Sequence, residues 1–195
     1  MQFAHPTAHK PQGGFTLIEL LITMSVLGVL MAIALPNLQS FVVSNRLSSN
    51  VNGFVGLINY ARSEAIVRNQ SVLVCAKNNS SNACVTGGAG QFWAEYDTQV
   101  FVDVDGNDAW SAGDILLKTM PAMDVTTTQT VFNRATAPSF IKFGAAGFSQ
   151  SPLHFRIYAV GDAAYNDKYG RSICISKPGR VRVIPLMLSV NCSAF

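Results

Sequence analysis

From Phe15 to Leu35 the chain reads FTLIELLITMSVLGVLMAIAL, 21 residues interrupted by a single charge, Glu19. Coiled as an α-helix this run is about 32 Å long, close to the roughly 30 Å hydrocarbon core of a bilayer. The composition points the same way: 49% of the residues are hydrophobic and only 13% are charged, so something apolar has to leave water. A secretory signal peptide carries its small-residue cleavage site after a shorter apolar stretch. Here the small residues Gly13 and Gly14 come before the run. A cut after Gly14 leaves a chain that begins with Phe15 and keeps the whole apolar helix. Glu19 then needs explaining, because a carboxylate in lipid costs at least ~2.5 kcal/mol. The cation such a cut creates is the α-amino group of Phe15, four residues earlier and so on the same helical face. The amine of one chain can meet its own Glu19 or that of a neighbour.

Beyond Pro36, which breaks helical hydrogen bonding in any context, a second helical pattern extends to about Asn69. Leu47, Val51, Val55, Ile58, Ala61 and Ala65 recur at spacings of three and four, while Arg46, Asn50, Asn59 and Arg68 mark a polar face. From Ser71 the period changes. Short β-type runs (SVLVCA, QVFVDV, SFIKF, LHFRIY, SICIS, VRVIPLMLSV) alternate with stretches rich in Gly, Asn, Ser, Asp and Pro. The expected fold class is α+β, one long N-terminal helix packed on antiparallel sheet. The segments are 15–36 for the membrane, 37–70 for the amphipathic continuation and 71–195 for a β-rich head.

The four cysteines, Cys75, Cys84, Cys174 and Cys192, fall as one close pair and one C-terminal pair. An even count without a C-x-x-C suits two disulfides in an oxidising compartment better than zinc. Short-range pairing gives Cys75–Cys84 and Cys174–Cys192, the second tying the C-terminus to a hairpin. Asp103, Asp105 and Asn107 at alternate positions, with Asp114 eleven residues after Asp103, mimic calcium-loop ligands. The sixth position is Asp108 instead of Gly and the flanks are β-type. A loop using Asp, Gly and Asn for its turn geometry accounts for the same residues. No catalytic residue and no cofactor is expected: nucleophile and metal-hydrolase motifs are absent, and His154 is the only histidine after Gly14, placed in an alternating strand.

The C-terminal tail is basic. From Lys168 to Phe195 there are five cations, Lys168, Arg171, Lys177, Arg180 and Arg182, and no acid. Lys177-Pro178-Gly179-Arg180 has Pro then Gly at its centre, which predicts a type II turn joining two strands. Alternation then sends Arg180 and Arg182 to one face, about 6.8 Å apart, and Val181 and Val183 to the other. This register puts Ile175 beside Arg182. Guanidinium forks in pairs suit phosphate; a solvated hairpin edge kept soluble by its charges is the alternative.

Gly14-Phe15-Thr16-Leu17-Ile18-Glu19-Leu20 resembles the prepilin peptidase site of type IV pilins and type II secretion pseudopilins. The resemblance implies a leader of residues 1–14, cleavage after Gly14 by prepilin peptidase, methylation of Phe15, and a Glu19 that guides subunits into a filament. It also implies a kink of the long helix near Pro36. The leader carries one clear cation, Lys10, with His5 and His9, fewer than is usual in the family. Asn59-Tyr60-Ala61-Arg62-Ser63-Glu64-Ala65, the run Val100–Asn107 and the closing Gly179-Arg180-Val181-Arg182 resemble the FimT/GspH type of minor pilin or pseudopilin. Gly179-Arg180-x-Arg182 is similar to the GRxR motif of FimT-type minor pilins, which bind DNA in natural transformation. That resemblance implies a subunit anchored in the inner membrane with its head in the periplasm, later part of an extracellular pilus. Its partners would be other major and minor pilins, membrane lipid before assembly, and double-stranded DNA held through Arg180, Arg182, Lys177, Gly179, Arg171 and Lys168. The rival is a minor pseudopilin of type II secretion without DNA binding.

Overall fold

The computed structural model describes residues 14–86, 92–123, 128–132, 139–159, 169–186 and Cys192. Leader residues 1–13, with Lys10, and Lys168 in the basic tail lie outside the described residues.

Helix α1 spans Leu17–Arg68, continuing through Pro36. Thr16 caps it: its hydroxyl accepts from the Glu19 N–H at 3.3 Å and its carbonyl from the Leu20 N–H at 3.2 Å. Thr16-x-x-Glu19 is the capping-box pattern, so Glu19 stands at the first turn, where the helix dipole favours a negative charge. The C-terminus closes by a Schellman pattern, with Gln70 N–H donating to Ala65 O and Asn69 N–H to Ile66 O. Asn69 adopts the left-handed φ of 53° that this ending requires.

The chain divides into two compact units, Met1–Ser40 and Phe41–Phe195. In the first, Leu17–Ala34 has a mean hydropathy of 2.4 and is exposed along its length, which by length and composition suits a bilayer. Its hydroxyls are satisfied within the helix, Thr23 donating to Leu20 O at 2.9 Å and Ser25 to Leu21 O at 2.8 Å.

In the second unit the C-terminal half of α1 buries Leu47, Val51, Phe54, Leu57, Ile58, Ala61 and Ala65. Around this stripe are β1 (Val72–Ala76), the short helix α2 (Phe92–Glu95), β2 (Thr98–Val102), β3 (Ile115–Met120), β4 (Thr128–Phe132), β5 (Phe140–Phe143), β6 (Leu153–Ala159), β7 (Arg171–Ile175) and β8 (Val181–Pro185). They form two antiparallel four-stranded sheets, ordered β3-β2-β1-β5 and β4-β6-β7-β8. The N-terminal helix packed on antiparallel sheet is the α+β class expected. Phe54, Trp93 and Phe155 meet edge to face at the centre, with ring centroids 5.0–5.9 Å apart. On β6 the alternation is clean: Leu153, Phe155, Ile157 and Ala159 are buried, and His154, Arg156 and Tyr158 face outward, half-exposed. The first sheet is covered on its outer side too, where Leu73, Cys75 and Phe101 pack with Trp110 and Phe140.

Strands β3 and β4 and helix α2 add to the elements expected from the sequence. The β3 run ILLKTM is an edge strand, exposed or half-exposed throughout. Neither of its faces is buried, so it lacks the period-two pattern that one-sided burial imposes.

Candidate functional site

The basic tail forms the expected hairpin, β7 paired with β8, and its tip is fixed from outside the hairpin. Gly179 N–H donates to Ser176 O at 2.8 Å and Ser176 N–H to Arg180 O at 3.0 Å. The turn is therefore Ser176–Gly179, one residue earlier than the Lys177–Arg180 turn expected. Gly179, at φ +77°, follows the turn as a left-handed residue rather than occupying its third position. A left-handed residue after a tight turn matches the strand twist, and proline followed by glycine satisfies either arrangement. The Ser176 hydroxyl, accepting from Arg180 N–H at 3.1 Å, reinforces the closure.

Arg62 of α1 locks this tip. Its Nη2 donates to Pro178 O and its Nε to Gly147 O, both at 3.1 Å. Ser149 N–H donates to Lys177 O at 2.9 Å, joining the tip to the β5–β6 connection. Gly179 is buried in this junction: a Cβ there would lie 2.2 Å from the Gly147 carbonyl oxygen and 2.8 Å from Arg62 Nε.

Arg180, Arg182 and Lys177 are exposed. Arg182 pairs with Cys174 in the ladder and Val181 with Ile175. This corrects the register that put Ile175 beside Arg182; Ile175 and Val181 belong to the core-facing side. The shift of the turn by one residue is the cause. Arg180 and Arg182 line a groove of about 510 Å³ together with Cys174, Ser176, Pro178 and Val181. Arg171 falls on the opposite side of the hairpin, opposite Pro185, and its Nη1 donates to the carbonyls of Tyr169 at 3.0 Å and Gly170 at 2.9 Å. The fold therefore brings Arg180, Arg182 and Lys177 together and sets Arg171 apart.

Both disulfides form as expected, Cys75–Cys84 and Cys174–Cys192, each with Cα atoms 5.5 Å apart. Cys174 and Cys192 lie beside His154, with ligand atoms within 4.8 Å of one another, but their sulfurs are spent on the covalent bond. His154 has its pKa lowered, first by burial and then by the charge of Arg156.

In the acidic loop the carboxylates of Asp103, Asp105 and Asp114 gather within 4.8 Å. Each is already an acceptor within the chain. Asp103 takes the N–H groups of Gly106 and Asp108, Asp105 the backbone and side-chain N–H of Asn107, and Asp114 the N–H groups of Val104 and Ser111. Asn107 accepts from Ala109 N–H. The ammonium of Lys142 on β5 bonds Asp108 and stands 3.6 Å from Asp103. The Asp108 hydrogen bond raises the Lys142 pKa; burial opposes it, and the charges of Asp108 and Asp103 add to the rise.

At the N-terminus Gly14 and Phe15 are exposed, and Glu19 lies on the first turn of α1. Two residues that the sequence did not single out for the site are Arg62 and Gly147. The only local trace was Arg62 within the Asn59–Ala65 segment, and nothing in that segment indicates a contact with residues 147 and 178.

Residues 50–179 match the sequence model of the GspH family, described as type II transport protein GspH. Residues 9–35 match the prokaryotic N-terminal methylation motif. Fimbrial protein EcpC of Eikenella corrodens is 49% identical over 41 residues, which is 21% of this chain and 27% of that protein, so the chain matches about a quarter of its relative's length. The fold is similar to that of the type IV minor pilin FimU of Pseudomonas aeruginosa, at a TM-score of 0.52 and 21% identity over 72% of this chain and 90% of the other. The minor pseudopilin EpsH of Vibrio cholerae aligns at a TM-score of 0.49 and 11% identity, over 72% of this chain and 97% of its own. With the family matched over most of its head and the methylation motif over its apolar N-terminus, the chain belongs to the GspH family of type IV pilin-like minor subunits.

Proposed function

We propose that this protein is a minor type IV pilin whose C-terminal hairpin holds extracellular double-stranded DNA, without sequence preference, for uptake. Prepilin peptidase cuts after Gly14, the new Phe15 amine is methylated, and Glu19 pairs with such an amine as the subunit leaves the inner membrane for the filament. The observation that carries the DNA reading is the pair Arg180 and Arg182, exposed along one side of a hairpin whose tip is pinned by Arg62. A pinned tip presents its guanidiniums with little ordering left to lose on binding. Contacts to phosphate, with no helix offered to a groove, carry no sequence information.

The GspH match fits a structural pseudopilin of type II secretion equally well, and one measurement separates the two. Binding of a mixed-sequence duplex by the full chain in non-ionic detergent is followed by fluorescence anisotropy across salt. Arg180, Arg182 and Lys177 contribute about −2.7 to the slope of log affinity against log salt. Arg180→Gln with Arg182→Gln abolishes binding and leaves the melting temperature nearly unchanged, because exposed charges contribute little to stability. Undiminished binding by the folded double variant refutes the hairpin site, and no binding by the wild type at low salt favours the secretion subunit.

A further inference from the structure

We propose that the ring of Phe148, held against the hairpin tip, stacks on an unpaired base while Lys177 and Arg180 hold the neighbouring phosphates, so that the site takes single strands and frayed strand ends as well as duplex. The inference rests on the DNA reading above and deepens it by naming a residue that tells one strand form from the other.

Two glycines bring the ring to the cations. Gly147 and Gly179 abut so closely that a Cβ on Gly179 would lie 2.2 Å from the Gly147 carbonyl oxygen, and a Cβ on Gly147 would lie 2.6 Å from Ile66 Cδ1. Phe148 follows one of these glycines and Arg180 the other, which places their Cα atoms within about 10 Å of each other. From the next peptide unit Ser149 N–H donates to Lys177 O at 2.9 Å, so Phe148 and Lys177 are neighbours too. The loop that carries the ring is fixed. Gly147 N–H donates to Gly144 O at 2.7 Å, Gly144 N–H to Phe148 O at 3.0 Å, and the Ser149 hydroxyl to Ser151 O at 2.9 Å.

Within this loop Gly147 and Ser149 are buried, and Phe148 between them is 55% exposed. Backbone bonds on both sides of Phe148 keep its ring at the surface. Ile66, packed at Gly147, and Pro178 at the tip are exposed as well. Apolar surface therefore adjoins Lys177 and Arg180, which form no ion pair among the described residues. A lone surface phenylalanine is ordinary, and an apolar patch far from charge suits a protein partner. One flanked by cations that no acid neutralises suits a polyanion with flat apolar faces. Sites for single strands combine cations that track the backbone with aromatic rings under the bases, whereas a duplex keeps its bases stacked on each other. Every base has a π-face, so the contact adds affinity without sequence preference, as the phosphate contacts at Arg180 do.

The test uses the full chain in non-ionic detergent and follows, by fluorescence anisotropy, a mixed-sequence single strand and a blunt duplex of the same length with G·C-rich ends. Phe148→Ala weakens single-strand binding about 5- to 150-fold, the range measured for loss of one stacking ring, and changes duplex binding by less than about twofold. Both salt slopes stay as in the wild type, because no charge is removed. Phe148→Trp restores the single-strand affinity, and Phe148→Leu, which keeps apolar area without an aromatic face, does not. Wild-type single-strand affinity in Phe148→Ala overturns the inference and leaves the hairpin reading to Arg180→Gln with Arg182→Gln. Equal losses on the two strand forms, or rescue by Phe148→Leu, also overturn it, because the ring then acts through packing. A wild type that binds neither strand form overturns both readings together.

Discussion

Replacing Gly179 by alanine separates the two physical jobs within the sequence Gly179-Arg180-Val181-Arg182. The backbone at Gly179 is left-handed, at φ +77°, which costs any residue with a Cβ about 1–2 kcal/mol. The added methyl would stand 2.2 Å from the Gly147 carbonyl oxygen and 2.8 Å from Arg62 Nε. The first of these atoms is backbone and cannot swing aside, so the tip itself must lift, at an overpacking cost of about 1–3 kcal/mol. Lifting it weakens the 3.1 Å bonds from Arg62 to Gly147 and Pro178, each worth about 1 kcal/mol net. Because relief of the clash is bought with those bonds, the terms overlap, and the expected loss is about 3–5 kcal/mol. For a unit of this size, Phe41–Phe195, each kcal/mol moves the midpoint by about 2–4 °C, so Gly179→Ala lowers the melting temperature by about 6–20 °C. Differential scanning fluorimetry on residues 41–195 measures it, with Arg180→Gln/Arg182→Gln as the control that stays within about 2 °C. A Gly179→Ala midpoint within about 2 °C of wild type refutes the argument that this glycine is required by packing.

The remaining expectations are more direct. The protein recovered from membranes begins at Phe15, and Gly14→Val leaves the uncut precursor; N-terminal sequencing decides it, and a different first residue contradicts the processing site. Removing either disulfide destabilises the head, because the pairs lie 9 and 18 residues apart in sequence and such loops are worth about 2.5–3.5 kcal/mol each by chain entropy; denaturant titration of Cys75→Ser/Cys84→Ser and Cys174→Ser/Cys192→Ser checks this. The lowered pKa of His154 means that the unfolded chain binds its proton first. Stability is then fully present above the ordinary value of 6.5 and falls as pH drops from there through the folded pKa, a slope that His154→Gln removes from melts taken across that range.

Local signals in the sequence were readable because their physics is local. The apolar run, Gly14 ahead of it and Glu19 one turn inside it lie within a few residues of each other, and Asn69 ends α1 where the apolar spacing stops. Alternation placed Val181 and Arg182 on opposite sides of β8, but it did not foretell that Val183 is exposed or that Ile184, on the Arg182 side, is buried. Two errors came from the turn: proline and glycine allow the closing hydrogen bond at either of two positions, and choosing the later one also shifted the cross-strand neighbours of Arg182. Contacts between distant segments left no trace. Arg62 meets Gly147 and Pro178 across 85 and 116 residues, and Lys142 reaches Asp108 across 34. No periodicity encodes such pairings, and Arg62 read as one more charge on a helix surface.

The formal charge of +3 understates how differently the two signs are used. Four of the head's acids, Asp103, Asp105, Asp108 and Asp114, sit in the loop after β2 of the first sheet. Three of them accept backbone N–H groups, and the ammonium of Lys142 bonds Asp108 and stands beside Asp103. A carboxylate held in this way organises its own loop. Arg180 and Lys177 belong to the other sheet and project from a tip held by backbone bonds and Arg62, none of which neutralises them. At physiological salt a charge is felt over only about 8 Å. A polyanion therefore responds to the local arrangement of guanidiniums rather than to the sum over the chain. With these four acids held in a self-bonded loop on one sheet and Lys177, Arg180 and Arg182 exposed on a hairpin of the other, a chain of small net charge has a locally basic hairpin.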